Sequence, residues 1–218
     1  MGGLFSIDNP IMRFLNKVTD CIILNLLWLI FCIPIVTIGA STTAFYYAVT
    51  KTIRNDRGYP IVEFWHGFKN NFKQSTIVWL VMMAIGVLSY IDIYYTYVLV
   101  QADVAPVLFF YFLIGIFALI FIWMLYWLPY IARFENTLRK MWKFSLAIAA
   151  QNILWSILNF IVFALMAILV MMIPLLIIII PVICEILLSI STEHVFRKYM
   201  SEEDLYLEDQ RNGKIDME

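Results

Sequence analysis

Acidic side chains are scarce inside the apolar stretches of this sequence, and Glu185 is the one that lies deep within such a stretch. It sits in the run 153–190, where an ionisable group is costly and normally faces a partner or a cavity. A second chemical signal is Pro34-Ile35-Val36-Thr37-Ile38-Gly39, followed by Ser41, Thr42 and Thr43. Proline removes a helical donor and glycine commonly ends a helix, so two helices should meet there, with Ser41 offering an N-cap to the second. Irregular backbone at membrane depth persists only where protein or water satisfies its freed groups, and broken helices are one way transporters expose backbone to a substrate. Thr37, Ser41, Thr42 and Glu185 are accordingly the candidate substrate or ion path. The plainer readings are a turn whose hydroxyls cap helix ends, and a structural Glu185 hydrogen-bonded to Ser189, Asn25 or Asn159. Asp92, beside a group of tyrosines, reads as a solvated interface residue.

Other chemistries find no support. His66 and His194 are the only histidines, and neither has a cysteine or a carboxylate-rich cluster nearby, so no metal site is expected. Cys21, Cys32 and Cys184 lie in apolar runs without zinc or disulfide spacing and read as small buried hydrophobes. There is no phosphate-cradling glycine loop, nucleophile elbow or His-Glu-x-x-His pattern. The expectation is a non-enzyme with no cofactor. A net charge of −1 offers no concentrated basic surface for nucleic acid.

Composition says what carries these residues. Hydrophobic residues make up 63% of the 218 and charged residues 14%, against roughly 45–50% and about 25% in soluble domains. The expected fold is all-α: a polytopic helical membrane protein of about five to six membrane segments, with a Pro/Gly-broken first segment and cytoplasmic-side amphipathic helices. A single transmembrane domain is expected over residues 1–200, with a short cytoplasmic tail over 201–218. Apolar stretches cover 21–50, 76–100, 106–128 and 153–190. A span needs ~20 residues, and the last stretch would be about 57 Å if straight, so Pro174 and Pro181 should divide it near residues 171–175. Polar Asp8, Arg13, Lys17 and Asp20 before the first apolar run argue against a cleavable signal peptide. The opening Met-Gly-Gly-Leu-Phe-Ser fits a myristoylation pattern in form, but a chain with true spans gains little from one acyl anchor.

Basic residues orient the spans. They cluster before residue 21, between 51 and 73, between 133 and 143, and after 197, while 101–105 and the turn near Pro174 have none. Placing every cluster in the cytoplasm requires an even number of crossings between Lys17 and Lys51. That favours a hairpin with its tip toward the outer leaflet; one broken span with an outside N-terminus is the other reading. Tyr90, Tyr94, Tyr95 and Tyr97 then mark the outer interface, and Trp123, Tyr126, Trp127 and Tyr130 the inner one. In 59–75, Ile61, Trp65, Phe68 and Phe72 recur at helical spacing, with Lys69 and Lys73 beside them, as in a helix lying in the headgroup plane. Trp65, Phe68, Phe72, Lys69 and Lys73 are the candidate lipid or partner interface. The stretch 135–152 carries a similar stripe from Leu138 and Trp142, and each stripe runs into a span, as an internal repeat would.

The run Asn25-Leu-Leu-Trp28, Ile33-Pro34-Ile-Val-Thr37-Ile-Gly39 and Thr43-Ala44-Phe-Tyr46-Tyr47 resembles the YesL-like family of bacterial membrane proteins. Phe64, Gly67-Phe68-Lys69-Asn70-Asn71-Phe72-Lys73-Gln74, Trp79 and the closing Ile190-Ser-Thr-Glu-His-Val-Phe196-Arg197-Lys198-Tyr199 extend the likeness over nearly the whole chain. The resemblance implies a bacterial plasma membrane and an association with carbohydrate uptake, typically ABC importers, and no catalytic residue. It makes a non-enzymatic accessory component of an importer, or of a membrane sensor controlling one, the first functional expectation. A small transporter or channel built on the broken helix and Glu185, working as a homo-oligomer, is the alternative. An importer permease would need a cytoplasmic Glu-Ala-Ala coupling loop, and an intramembrane hydrolase a nucleophile–base pair; neither pattern is found.

Overall fold

In the computed structural model, residues 10–134 and 137–212 are described, and every element among them is helical. Helix α1 (Pro10–Cys32) stops just before Pro34, and a 3-10 turn (Ile35–Thr37) leads into α2 (Ile38–Ala48), which continues as a π-helical stretch through Val49–Arg54. The backbone groups freed at the break are taken up locally. The Thr37 hydroxyl donates to the Phe31 carbonyl at 2.7 Å, with the Pro34 carbonyl 2.8 Å away. Ser41 donates to the Trp28 carbonyl at 3.1 Å, and Trp28 stacks on Phe45 at 5.6 Å. Lys17 meets Asp56 at 2.9 Å. These contacts run from tip to base of an antiparallel pair. Residues 21–50 are a hairpin, and both its ends leave on one side.

Helix α3 (Pro60–Gln101) begins with proline in its first turn, where the missing donor costs nothing. Its 42 residues span ~63 Å of unbroken helix. The stretch 59–75, expected as a separate helix in the headgroup plane, is therefore the first part of the helix that also carries the apolar stretch 76–100. Helix α2 packs against this first part. A β-carbon at Gly39 would lie 2.4 Å from Trp79 Cβ and 2.6 Å from the Ser75 carbonyl oxygen, so only glycine permits the approach.

The hairpin tip is fixed by the Trp79 indole, which donates to the Ile35 carbonyl at 2.8 Å. Trp79 stands twenty-two residues before the end of α3, about 33 Å of helix. The hairpin tip therefore packs beside the first part of α3, well short of that helix's C-terminal end. Trp79 and Thr37 thus satisfy carbonyl groups that the break at Pro34 frees.

Helix α4 (Val107–Met124) returns antiparallel to α3, with Tyr97 and Phe110 ring centroids 6.1 Å apart, and bends into α5 (Trp127–Arg133). Helix α6 (Leu138–Gln151) buries Met141, Ser145, Ile148 and Ala149, and its Trp142 meets Trp127 edge-on at 4.2 Å. Helix α7 (Ile153–Met172) and α8 (Ile180–Phe196) are joined by a 3-10 turn (Pro174–Ile178), where the sequence placed the division. Asn25 holds that turn to α1, donating to the Ile177 and Ile178 carbonyls at 3.0 and 2.7 Å. A last helix, α9 (Glu202–Arg211), is capped by the Ser201 hydroxyl, which accepts from the Asp204 amide at 3.1 Å. Among the described residues, four helical stretches are long and apolar enough to cross a membrane: Met12–Cys32, Pro60–Gln101, Val107–Arg133 and Ile153–Met172. Helix α8 is 17 residues long and α2 is shorter, so both fall below that length.

Candidate functional site

Of the four residues expected along a substrate path, the structure brings two to one place. Thr37 and Ser41 are used to tie the hairpin together. Thr42 and Glu185 both line two adjoining cavities of about 340 and 350 Å³, which also share Trp28, Phe163 and Leu188. Helix α2 supplies Thr42, α8 supplies Glu185, and α1 contributes Trp28, whose indole donates to the Thr42 hydroxyl at 3.2 Å. The first cavity runs along Met166, Val170 and Pro181; the second is bounded by Tyr46, Trp79, Phe121, Asn159 and Thr192.

The partners expected for Glu185 are engaged elsewhere. Ser189 donates to the Ile186 carbonyl, and Asn25 to the α7–α8 turn. Asn159 shares the second cavity with Glu185, and its amide nitrogen lies 3.5 Å from the Tyr126 hydroxyl. Its Oδ1 has no hydrogen-bond partner although the residue is 3% exposed. Among the described residues, nothing hydrogen-bonds or ion-pairs with Glu185.

A second constellation escaped the sequence reading. The Tyr46 hydroxyl donates to Glu193 Oε1 at 2.9 Å, and Glu193 is 4% exposed. Arg133 Nε stands 3.4 Å from Glu193 Oε2, a charge contact, and the same guanidinium ion-pairs with Glu208 of α9. Arg197 grips Asp209 with two hydrogen bonds of 2.9 and 2.6 Å, which push its guanidinium pKa above the usual value. Tyr46, Arg133, Glu193 and Glu208, with Tyr47, Lys51, Asn55 and Arg57, line a polar cavity of about 300 Å³. A neighbouring cavity of about 270 Å³ adds Arg54 and His194. Tyr46 lines both the polar cavity and the one holding Glu185. One weak hint lay in the spacing, an acid at Glu193 one helical turn before Arg197. Helical spacing could not reveal that Arg133 and Glu208 converge on it from other helices.

On the first part of α3, Trp65, Phe72, Lys69 and Lys73 are exposed, and the Lys69 ammonium lies 5.0 Å from the Trp65 ring centre. Phe68 corrects the expected surface stripe. It is buried, with the Phe31 ring of α1 at 5.0 Å and the Phe72 ring at 5.4 Å. The hairpin covers Phe68 of that stripe, while Ile61, Trp65 and Phe72 stay exposed. No group of His, Cys, Asp and Glu placed to hold a metal occurs among the described residues.

Comparison with known proteins adds a family likeness of unknown function. A family model described as "Protein of unknown function, DUF624" matches residues 21–93, the hairpin and most of α3. That range contains the motifs from Asn25 to Tyr47 and from Phe64 to Trp79 on which the resemblance rests. The chain is similar to the "Uncharacterized protein YteU" of Bacillus subtilis (strain 168), 28% identical over 154 residues, covering 67% of this chain and 66% of that protein. It thus spans just under two thirds of that relative's length. No solved structure matches the chain. Every element among the described residues is helical, several of these helices are apolar and of membrane-crossing length, and the chain is similar in sequence to proteins whose function is uncharacterised.

Proposed function

We propose that this chain is a non-enzymatic, multi-pass protein of the bacterial plasma membrane that acts as an accessory component of a carbohydrate importer or of a sensor controlling one. The YesL-like resemblance supplies the carbohydrate context. The observation that carries the accessory role is the second part of α3. From Leu80 to Gln101 only Thr96 is buried, and Tyr90, Tyr94, Tyr95 and Tyr97 are all exposed. A helix with so little internal packing presents its surface to lipid and to a partner helix. The basic end, with Lys17, Lys51, Arg133 and Arg197, faces the cytoplasm in this reading and takes the C-terminus with it.

The test is affinity purification of the tagged chain from gently solubilised membranes of cells grown on an oligosaccharide. Stoichiometric recovery of importer membrane subunits or a sensor kinase is the expected result. Recovery of the chain alone, as a homo-oligomer, overturns the accessory role. It would favour a small transporter or channel, the reading supported by Thr42 and Glu185 on shared cavity walls.

A further inference from the structure

The cavity between α2, α4, α7 and α8 has walls that select for charge. Two of its polar groups, on Asn159 and Glu185, offer acceptor oxygens without a donor, beside the hydroxyls of Thr42 and Thr192. Asn159 Oδ1 is buried without a partner, and the Glu185 carboxylate has none among the described residues. Thr42 Oγ1 accepts the Trp28 indole, and the Tyr46 hydroxyl spends its proton on Glu193. No lysine, arginine or histidine lines either of the two adjoining cavities. Apart from Thr192, the remaining walls are apolar, with aromatic rings from Trp28, Trp79, Phe121 and Phe163.

A ligand suited to this lining brings positive charge and an apolar body. Aromatic faces attract ammonium groups, and a carboxylate in a dry cavity gains most from a cation. A hydroxyl-rich ligand brings as many acceptors as donors, and its acceptors would meet apolar wall or Glu185 itself. The volume of about 350 Å³ lies within the range of small-molecule sites. We propose that the cavity formed by Glu185, Asn159, Thr42 and the surrounding aromatic rings binds a small organic cation, a substituted ammonium with an apolar substituent.

The experiment uses the full chain in lipid nanodiscs and follows thermal unfolding against rising benzyltrimethylammonium, with neopentylbenzene as the neutral molecule of the same shape. The midpoint should rise with the cation and not with the neutral analogue. Glu185→Gln should weaken the response at least about tenfold, and Phe163→Leu, which removes one aromatic wall, by about two- to tenfold. If Glu185→Gln fails to fold, the Phe163→Leu variant and the neutral analogue decide the matter. An equal response to both molecules, no response to the cation, a full response in folded Glu185→Gln, or stabilisation by glucose in preference to the cation would each overturn the proposal. The outcome is independent of whether a partner co-purifies.

Discussion

Two ion-pair sites in this chain differ in what they contribute, and exposure decides which matters. Lys17 and Asp56 meet at 2.9 Å, yet their side chains are 45% and 67% exposed. Such a pair contributes about 0.2–1 kcal/mol, so Asp56→Asn should move the unfolding midpoint only slightly. Glu193 is buried, and its charge is balanced by Tyr46 and Arg133. Tyr46→Phe removes a hydrogen bond to a charged acceptor without changing the ring, and should cost about 1.5–3 kcal/mol in denaturant unfolding of the detergent-solubilised protein. Equal losses in the two variants would show that the Glu193 site is as wet as the surface pair. Glu185 was legible in the sequence because a lone acid in a 38-residue apolar run has no ordinary explanation. The Tyr46–Glu193–Arg133 site was not, because its members are unremarkable at their own positions and meaningful only once three helices converge.

Among the helices, α2 packs closely on α3, and glycines of the two helices grade how closely. At Gly39 an added β-carbon would press on Trp79 Cβ and the Ser75 carbonyl at 2.4 and 2.6 Å, and neither can move without separating the helices. At Gly67 the nearest atoms, from Tyr47 and Ala44, stand at 3.1–3.2 Å, so a small shift suffices. At Gly86 there is nothing within 4 Å. Gly39→Ala should therefore destabilise by about 1–3 kcal/mol, Gly67→Ala by less, and Gly86→Ala should be neutral or gain about 0.5–1 kcal/mol in helix propensity. Thermal unfolding of the three variants checks the order, and similar midpoints would mean the helices are not in contact as described. The break at Pro34–Gly39 was plain from proline and glycine, whereas the point at which the tip meets α3 was not. Hydropathy reports that a segment is apolar; it does not report that an indole forty-four residues later will bind the Ile35 carbonyl. Depth has its own test, in a background with the three native cysteines replaced. A cysteine at Val36 should resist an impermeant thiol reagent applied outside intact cells, while one at Asp103 reacts. Equal labelling would return the tip to the outer surface.

Across the molecule, the two ends of the bundle are held by different means. The α3–α4 end relies on apolar contact and on whatever surrounds α3, whereas the opposite end is closed by charges that link helices far apart in sequence. Helix α9 shows the difference most clearly. It has ten residues, and an isolated helix of that length is marginal in water even with the Ser201 cap and the acidic first turn. Its order must come from docking, and the docking contacts are Glu208 on Arg133 and Asp209 on Arg197. Neutralising both acids, as Glu208→Gln with Asp209→Asn, keeps the shape of each side chain and removes the charge. Amide hydrogen exchange over residues 202–211 should then accelerate at least about tenfold, equivalent to ~1.4 kcal/mol of lost local protection, while α4 keeps its rate. Unchanged exchange in α9 would mean that its packing, and not the clamp, holds it in place. If the clamp does hold it, the consequence reaches inward. Arg133 joins Glu208 to Glu193, Glu193 holds the Tyr46 hydroxyl, and Tyr46 forms a wall of the cavity that contains Glu185. A change in how α9 docks is thereby placed one charged side chain and one hydroxyl away from the cavity that Glu185 lines.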